Sequence, residues 1–424
     1  MPLSQAKIQM VAGIFAVAPD SAMHRLESLL MQASAADASL EPVHTLAAAE
    51  NEARRIVATV FAPLLPMTVP ATAPKRQTLK FARLISVWRD LVKDDSDLAE
   101  RTGWAVRGYR SEDPAPIEFD NLCLHAAVVV RESDPDLARL FALCRVLRTI
   151  QNKLPAWTHN LSSEHIAGVR LAFKDALTVD EDAAPAVWEA VFAMLPQPWQ
   201  VIRLISAAID RPSDRYLAAS ELADLGRRLL DDIDDRIGSL KRFDPSRGEE
   251  SGAAEAASVM IAVQEMVEFE EWLALAKDGP WGQRIVEQKR NLALCMEARL
   301  REAEPAVATA LQAGRGGAKS RAFPKLTDDP QPIHVTRAEA LLTLIEEARG
   351  AAAIGGFGAA RSKTLEALES RLDQYCEDVL ELLHKGGEVD PDRCRAFLEI
   401  AARFVGLVKG PQGAAIVRRR AAAA

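Results

Sequence analysis

Apolar residues recur at spacings of three and four along almost the whole chain, the period that lays one face of an α-helix against a core. In Gln77–Val92 the set Phe81, Leu84, Ile85, Trp88, Leu91 and Val92 follows this rule closely. Asp134-Pro135 opens a second helix by the cap-then-proline rule, with Leu137, Leu140, Phe141, Cys144, Leu147 and Ile150 as its buried face. Further helices are expected over 162–177, 181–195, 198–210, 213–242, 253–277 and 280–314, the last with a kink near Pro305. Thr336-Arg337-Ala338-Glu339 has the form of a capping box and opens another, ending at Gly350. Two more are expected over 362–385 and from Asp390-Pro391 to about Gly410. Strand signals are nearly absent; Ala126–Val130 is the one short candidate, and helix fits it equally well.

The pattern predicts an all-α fold, an irregular multi-helix bundle or helical stack with a smaller C-terminal three-helix unit. Breaks set the expected boundaries. An N-terminal helical segment covers 1–62, and a Pro-rich linker follows at 63–76. The main helical domain covers 77–312, and a basic Gly/Pro-rich linker covers 313–335. A helical bundle at 336–410 and a flexible basic tail at 411–424 complete the chain. No fixed repeat period is present.

Composition narrows the function classes. Of 424 residues, 49% are hydrophobic and only 5% aromatic, so helix-forming Ala and Leu supply the cores. A net charge of −8 argues against broad nucleic-acid binding, which needs a basic surface. The five cysteines (Cys123, Cys144, Cys295, Cys376, Cys394) are odd in number and widely spaced, the pattern of reduced thiols. Ile8–Ala18 faintly echoes an export signal, but Gln9 interrupts it and a single Lys7 precedes it. No stretch approaches the ~20 apolar residues that span a bilayer. A cytoplasmic protein without integral membrane insertion is expected.

One motif invites a chemical reading. Asp231, Asp232 and Asp235 form an Asp-Asp-x-x-Asp string of the kind that holds Mg²⁺ against a diphosphate. At about 100° per residue, Leu222, Leu225, Leu229, Ile233, Ile237 and Leu240 form one stripe. Asp231 and Asp235 fall opposite it, while Asp232 and Asp234 fall on its flanks. Arg227, Arg228 and Arg236 stand four residues from aspartates, so surface ion pairs account for the string. The aspartates are therefore expected to face water.

Other patterns carry less. Glu41-x-x-His44 and Glu381-x-x-His384 have di-iron spacing but lack partner helices. Gly350–Gly358 lacks the lysine of a phosphate loop, although Arg361 and Lys363 stand near. Glu265, Glu268 and Glu271 read as an exposed acidic edge. Arg315, Lys319, Arg321 and Lys325 in the linker, with Arg418, Arg419 and Arg420 in the tail, are candidate contacts for an anion or a partner.

The expected function is a non-catalytic helical scaffold, adaptor or regulatory protein that binds one or more proteins, with self-association open and no cofactor. One alternative is a helical enzyme holding a Mg–diphosphate substrate through Asp231–Asp235. Another is electrostatic association with nucleic acid or membrane through the basic linker and tail.

Overall fold

Helix propensity and apolar periodicity agree over most of the chain, and the computed structural model is accordingly all-α. It describes residues 10–11, 14–15, 20–36, 40–70, 72–93, 95, 97–110, 113–313, 324–385 and 390–424. Among these no strand forms, and only two isolated bridges, Ser213 with Ala274 and Ala313 with Pro324, have sheet-like pairing. The chain divides into two compact units, residues 1–212 with 220–225, and residues 213–219 with 226–424. The expected segments do not follow this division, whose boundary falls inside 77–312. None of the described helices is long and apolar enough to cross a membrane.

The first unit contains α1 (Asp20–Ala36), α2 (Glu41–Val60), α3 (Phe81–Lys93), α4 (Leu98–Gly108) and α5 (Ile117–Val130). It continues with α6 (Pro135–Ala142), α7 (Cys144–His159), α8 (Ser163–Val179), α9 (Ala184–Met194) and α10 (Val201–Ile209). Its core is knit by aromatic pairs, Phe61 edge-on to Phe141 at 4.8 Å and Phe173 stacked on Trp188 at 4.0 Å. The Arg148 guanidinium, itself buried, donates to the Val60 carbonyl at the end of α2. The Pro-rich stretch expected as a linker is a packed element. Ala62–Thr68 forms a 3-10 helix whose Pro63, Leu64 and Met67 are buried, and Lys75 Nζ donates to the Ala193 and Leu195 carbonyls. Closely spaced prolines forbid an α-helix but not 3-10 geometry, and Leu64 and Met67 supply the apolar surface that docks it.

Two helices are divided where the pattern predicts one. The helix expected to run unbroken from Pro135 stops at Ala142 and restarts at Cys144. Residues 213–242 divide into α11 (Asp214–Ala218) and α12 (Ala223–Arg242), with the Ser220 hydroxyl accepting from the Leu222 amide between them. Such a side-chain acceptor offers the backbone an alternative to helix continuation. Ala126–Val130, the strand candidate, lies inside α5.

The second unit is built on α12 beyond Leu225, α13 (Glu249–Trp272) and α14 (Pro280–Ala310), followed by α15 (Pro332–Glu347), α16 (Gly358–Lys385), α17 (Pro391–Lys409) and α18 (Pro411–Ala423). Short α11 belongs to this unit and caps α14. The fully buried Asp214 carboxylate accepts from the Ala276 and Gly282 amides, satisfying a donor in the first turn of a helix whose own cap residue is glycine. Helix α15 packs on both α13 and α14. It begins at Pro332, so Thr336 lies inside it and the expected capping box does not form. Proline at the first helical position starts it one turn earlier. The expected flexible tail is helical from Pro411 to Ala423 and packs on α17, with Ala414 and Val417 buried.

Candidate functional site

Helix α12 carries the aspartate string. Leu229, Ile233, Ile237 and Leu240 are buried along its inner stripe. Asp231 and Asp235 lie away from that stripe, Asp231 half-buried and Asp235 exposed. Asp231 accepts from Arg227 at 3.2 Å and from Arg284 of α14 at 2.5 Å. The same Arg284 donates twice to Asp234. One guanidinium thus bridges two of the four aspartates, occupying oxygens that a divalent cation would need.

Asp232 departs from the expectation that the string faces water. It is only 4% exposed, and its carboxylate is held by Arg236 at 2.7 Å. The reason is tertiary: its flank of α12 is covered by α13. Facing it is Glu265, which is 0% exposed and whose two carboxyl oxygens make no hydrogen bond. Burial pushes the Glu265 carboxyl well above the usual glutamate range, the neighbouring Asp232 carboxylate pushes it the same way, and Arg236 opposes both. Protonation of Glu265 would let it donate to Asp232 and lower the charge of this buried pair. Arg228 and Glu268 are buried beside these elements and are themselves engaged.

The acidic edge Glu265, Glu268, Glu271 is therefore corrected. Only Glu271 is exposed; Glu265 and Glu268 are interior. A wheel calculation assigns one buried face, but α13 is covered on more than one side. Its apolar residues Ala262 and Phe269, buried beside the glutamates, were the available signal. Among the described residues, no group of three or more His, Cys, Asp or Glu side chains is placed to hold a metal ion.

The remaining candidates separate. His384 Nδ1 bonds the Leu380 carbonyl within its own helix at 2.8 Å. Arg361 is committed to the Ile345 carbonyl and to Glu346. Arg315, Lys319 and Arg321 lie outside the described residues, while Lys325 is exposed. In α18, Arg418 forms a two-pronged pair with Glu399 and Arg420 one with Glu377, whereas Arg419 bonds the Ala415 carbonyl. Of the tail cations expected to be mobile, Arg418 and Arg420 are thus fastened to neighbouring helices, and Arg419 to its own.

A feature that periodicity could not isolate lies on α5. This helix buries Phe119, Leu122, Cys123, Ala126, Ala127 and Val130, and Glu118, Asn121 and His125 are exposed along one flank. On the opposite side Ile117 is 69% exposed, Leu124 52% and Val128 61%. Steps of seven and eleven residues return to within about 20° of the start, so the three form one outward stripe. On the preceding helix Trp104 is exposed as well, with the Arg107 guanidinium 4.5 Å from its ring centre. No protein-family model, curated protein or solved structure matches the chain.

Proposed function

We propose that the protein is a non-catalytic helical scaffold or adaptor of the cytoplasm that binds a partner protein through the outward face of α5. The observation that carries this reading is the stripe Ile117, Leu124 and Val128. An exposed apolar stripe on a helix whose other side is already buried is a common mark of an interaction surface. The five free thiols, four of them buried, fit a reducing compartment. The Mg–diphosphate alternative has less support, because Arg227, Arg236 and Arg284 already form ion pairs with three of the four aspartates.

The test is a paired Leu124→Glu/Val128→Glu variant, used as bait in its native host beside the wild-type chain and analysed for its oligomeric state. Loss of a stoichiometric partner, or of a self-association that the wild type displays, is the expected outcome. Identical captured proteins and identical mass for both chains would remove α5 as the binding face. Both side chains are exposed, so unchanged helicity by circular dichroism separates loss of binding from loss of folding.

A further inference from the structure

Where α12 ends and α13 begins, the second unit holds a cleft of about 580 Å³, within the range of small-molecule sites. Its lining is polar and unevenly charged. Arg242, the last residue of α12, and Arg247, in the 3-10 turn Pro245–Arg247, both border it. Neither has a carboxylate within 4.0 Å among the described residues, although Glu255 acts on Arg242 and Asp244 on Arg247 at longer range, and most arginines of this chain form close ion pairs. Position at a helix C-terminus accounts for Arg242 through the dipole, but not for Arg247. On the rim, Asp244 is occupied by the amide and hydroxyl of Ser246.

The rest of the lining offers acceptors. Glu255 is 8% exposed and lines the cleft. Its Oε2 accepts from the Ser239 hydroxyl at 2.9 Å, while its buried Oε1 has no donor. A buried acceptor without a partner is a standing cost that a donor from a cleft occupant relieves. The Ser239 proton is spent on Glu255 and the Ser251 proton on the Gly248 carbonyl at 2.7 Å, so the two cleft-lining hydroxyls have only acceptor capacity left. Ser258 adds a third hydroxyl. The site therefore asks for an anionic group beside the two guanidinium groups and for neutral hydrogen-bond donors beside the acceptors. An ammonium would satisfy the acceptors but would sit next to two cations. Hydroxyl groups meet both demands.

We propose that this cleft binds a phosphorylated polyol, with Arg242 and Arg247 holding the phosphoryl group and Glu255, Ser239 and Ser251 receiving hydroxyl protons. The ligand class is a sugar phosphate or the chemically similar headgroup of a phosphoinositide. Glu255 is a specificity-determining residue here, since only the hydroxyl-bearing part of the ligand reaches it.

The experiment is calorimetric titration of the full chain with glucose 6-phosphate, inorganic phosphate and glucose in parallel. Vesicles of phosphatidylcholine with and without phosphatidylinositol 4-phosphate form a further arm. Saturable binding of glucose 6-phosphate at least roughly tenfold tighter than phosphate, and none of glucose, is expected from adding hydroxyl contacts to charge-assisted ones. Preference for the phosphoinositide vesicles over the soluble sugar phosphate identifies the headgroup as the source, and the reverse identifies a free metabolite. Arg242→Ala/Arg247→Ala, which removes two exposed side chains, should weaken binding by roughly tenfold or more. Ala254→Trp should block the cleft while leaving both arginines in place. Three results overturn the proposal: no saturable binding in either the soluble or the vesicle arm, equal affinity for phosphate and the sugar phosphate, or binding unchanged in the double arginine variant of normal helicity.

Discussion

Arg227 and Arg236 each pair with an aspartate four residues away on α12, yet burial makes the two pairs unequal. The Asp231 side chain is half-exposed and shared between Arg227 and Arg284, so water screens whatever the pair gains. Asp231→Ala should cost at most about 1 kcal/mol, diminishing with added salt. Arg236→Met instead removes a cation paired with the buried Asp232 carboxylate, and should cost about 3 kcal/mol in urea unfolding. Equal losses in the two variants would mean that Asp232 is solvated. Glu265 supplies a pH signature. Its folded-state pKa is raised above the ordinary 4.5, so the native state keeps a proton that the unfolded chain releases. The stability Glu265 contributes is complete below 4.5 and is lost as pH rises through the folded value. Glu265→Gln removes that loss, and should be more stable than wild type by about 1–2 kcal/mol at mildly alkaline pH, with the gap closing on acidification. Stability curves that stay parallel from acid to alkaline pH would show that Glu265 does not titrate in this range. That Asp231 and Asp235 turn outward was legible from the sequence, because one apolar stripe fixes the opposite face. The burial of Asp232 and Glu265 was not, because it depends on which second helix lies across the flank.

Helix boundaries obeyed local chemistry wherever that chemistry was unopposed. Asp134 accepts from the Leu137 amide ahead of Pro135, and Ser162 from the His165 amide ahead of α8, as their cap residues predict. Thr336 failed as a cap because Pro332 had already begun the helix. Packing between helices follows a different logic, most visible at glycine. A Cβ on Gly252, in the first turn of α13, would stand 2.2 Å from the Ala340 carbonyl oxygen of α15. One on Gly226 of α12 would stand 2.3 Å from the Trp281 indole at the start of α14. Alanine raises intrinsic helix propensity by about 1 kcal/mol over glycine, but here backbone meets backbone at Gly252 and cannot give. Gly252→Ala should therefore destabilise by about 2–3 kcal/mol. Gly108→Ala, with nothing within 4 Å of the added carbon, should be neutral or stabilise by up to about 0.5 kcal/mol. Urea midpoints for the two variants decide the matter, and a stabilised Gly252→Ala would mean that α13 and α15 stand further apart.

Across the whole molecule the sequence marks where chain can be removed less well than where helices form. Residues 411–424, basic and rich in small side chains, read as a tail, yet α18 buries Ala414 and Val417 against α17 and ties Arg418 to Glu399 and Arg420 to Glu377. Gly413 faces Val405, and Gly406 faces Ala414 at 3.3 Å, so small residues permit the close approach that compositional reasoning counts as disorder. Deleting 411–424 should cost about 2–3 kcal/mol, mostly from lost apolar burial, whereas Arg418→Ala/Arg420→Ala should leave the melting temperature nearly unchanged because both pairs are exposed. An unchanged melting temperature after the deletion would mean that α18 is not docked. By itself the sequence determined the all-α class, most helix positions and the buried stripe of α12, since propensity and period are properties of neighbouring residues. Only the tertiary structure decided which flanks are covered twice, as at Asp232 and Glu265, which face stays bare, as on α5, and which cations border a cleft, as at Arg242 and Arg247. Those outcomes depend on residues distant in sequence meeting in space, and a one-dimensional pattern does not record such meetings.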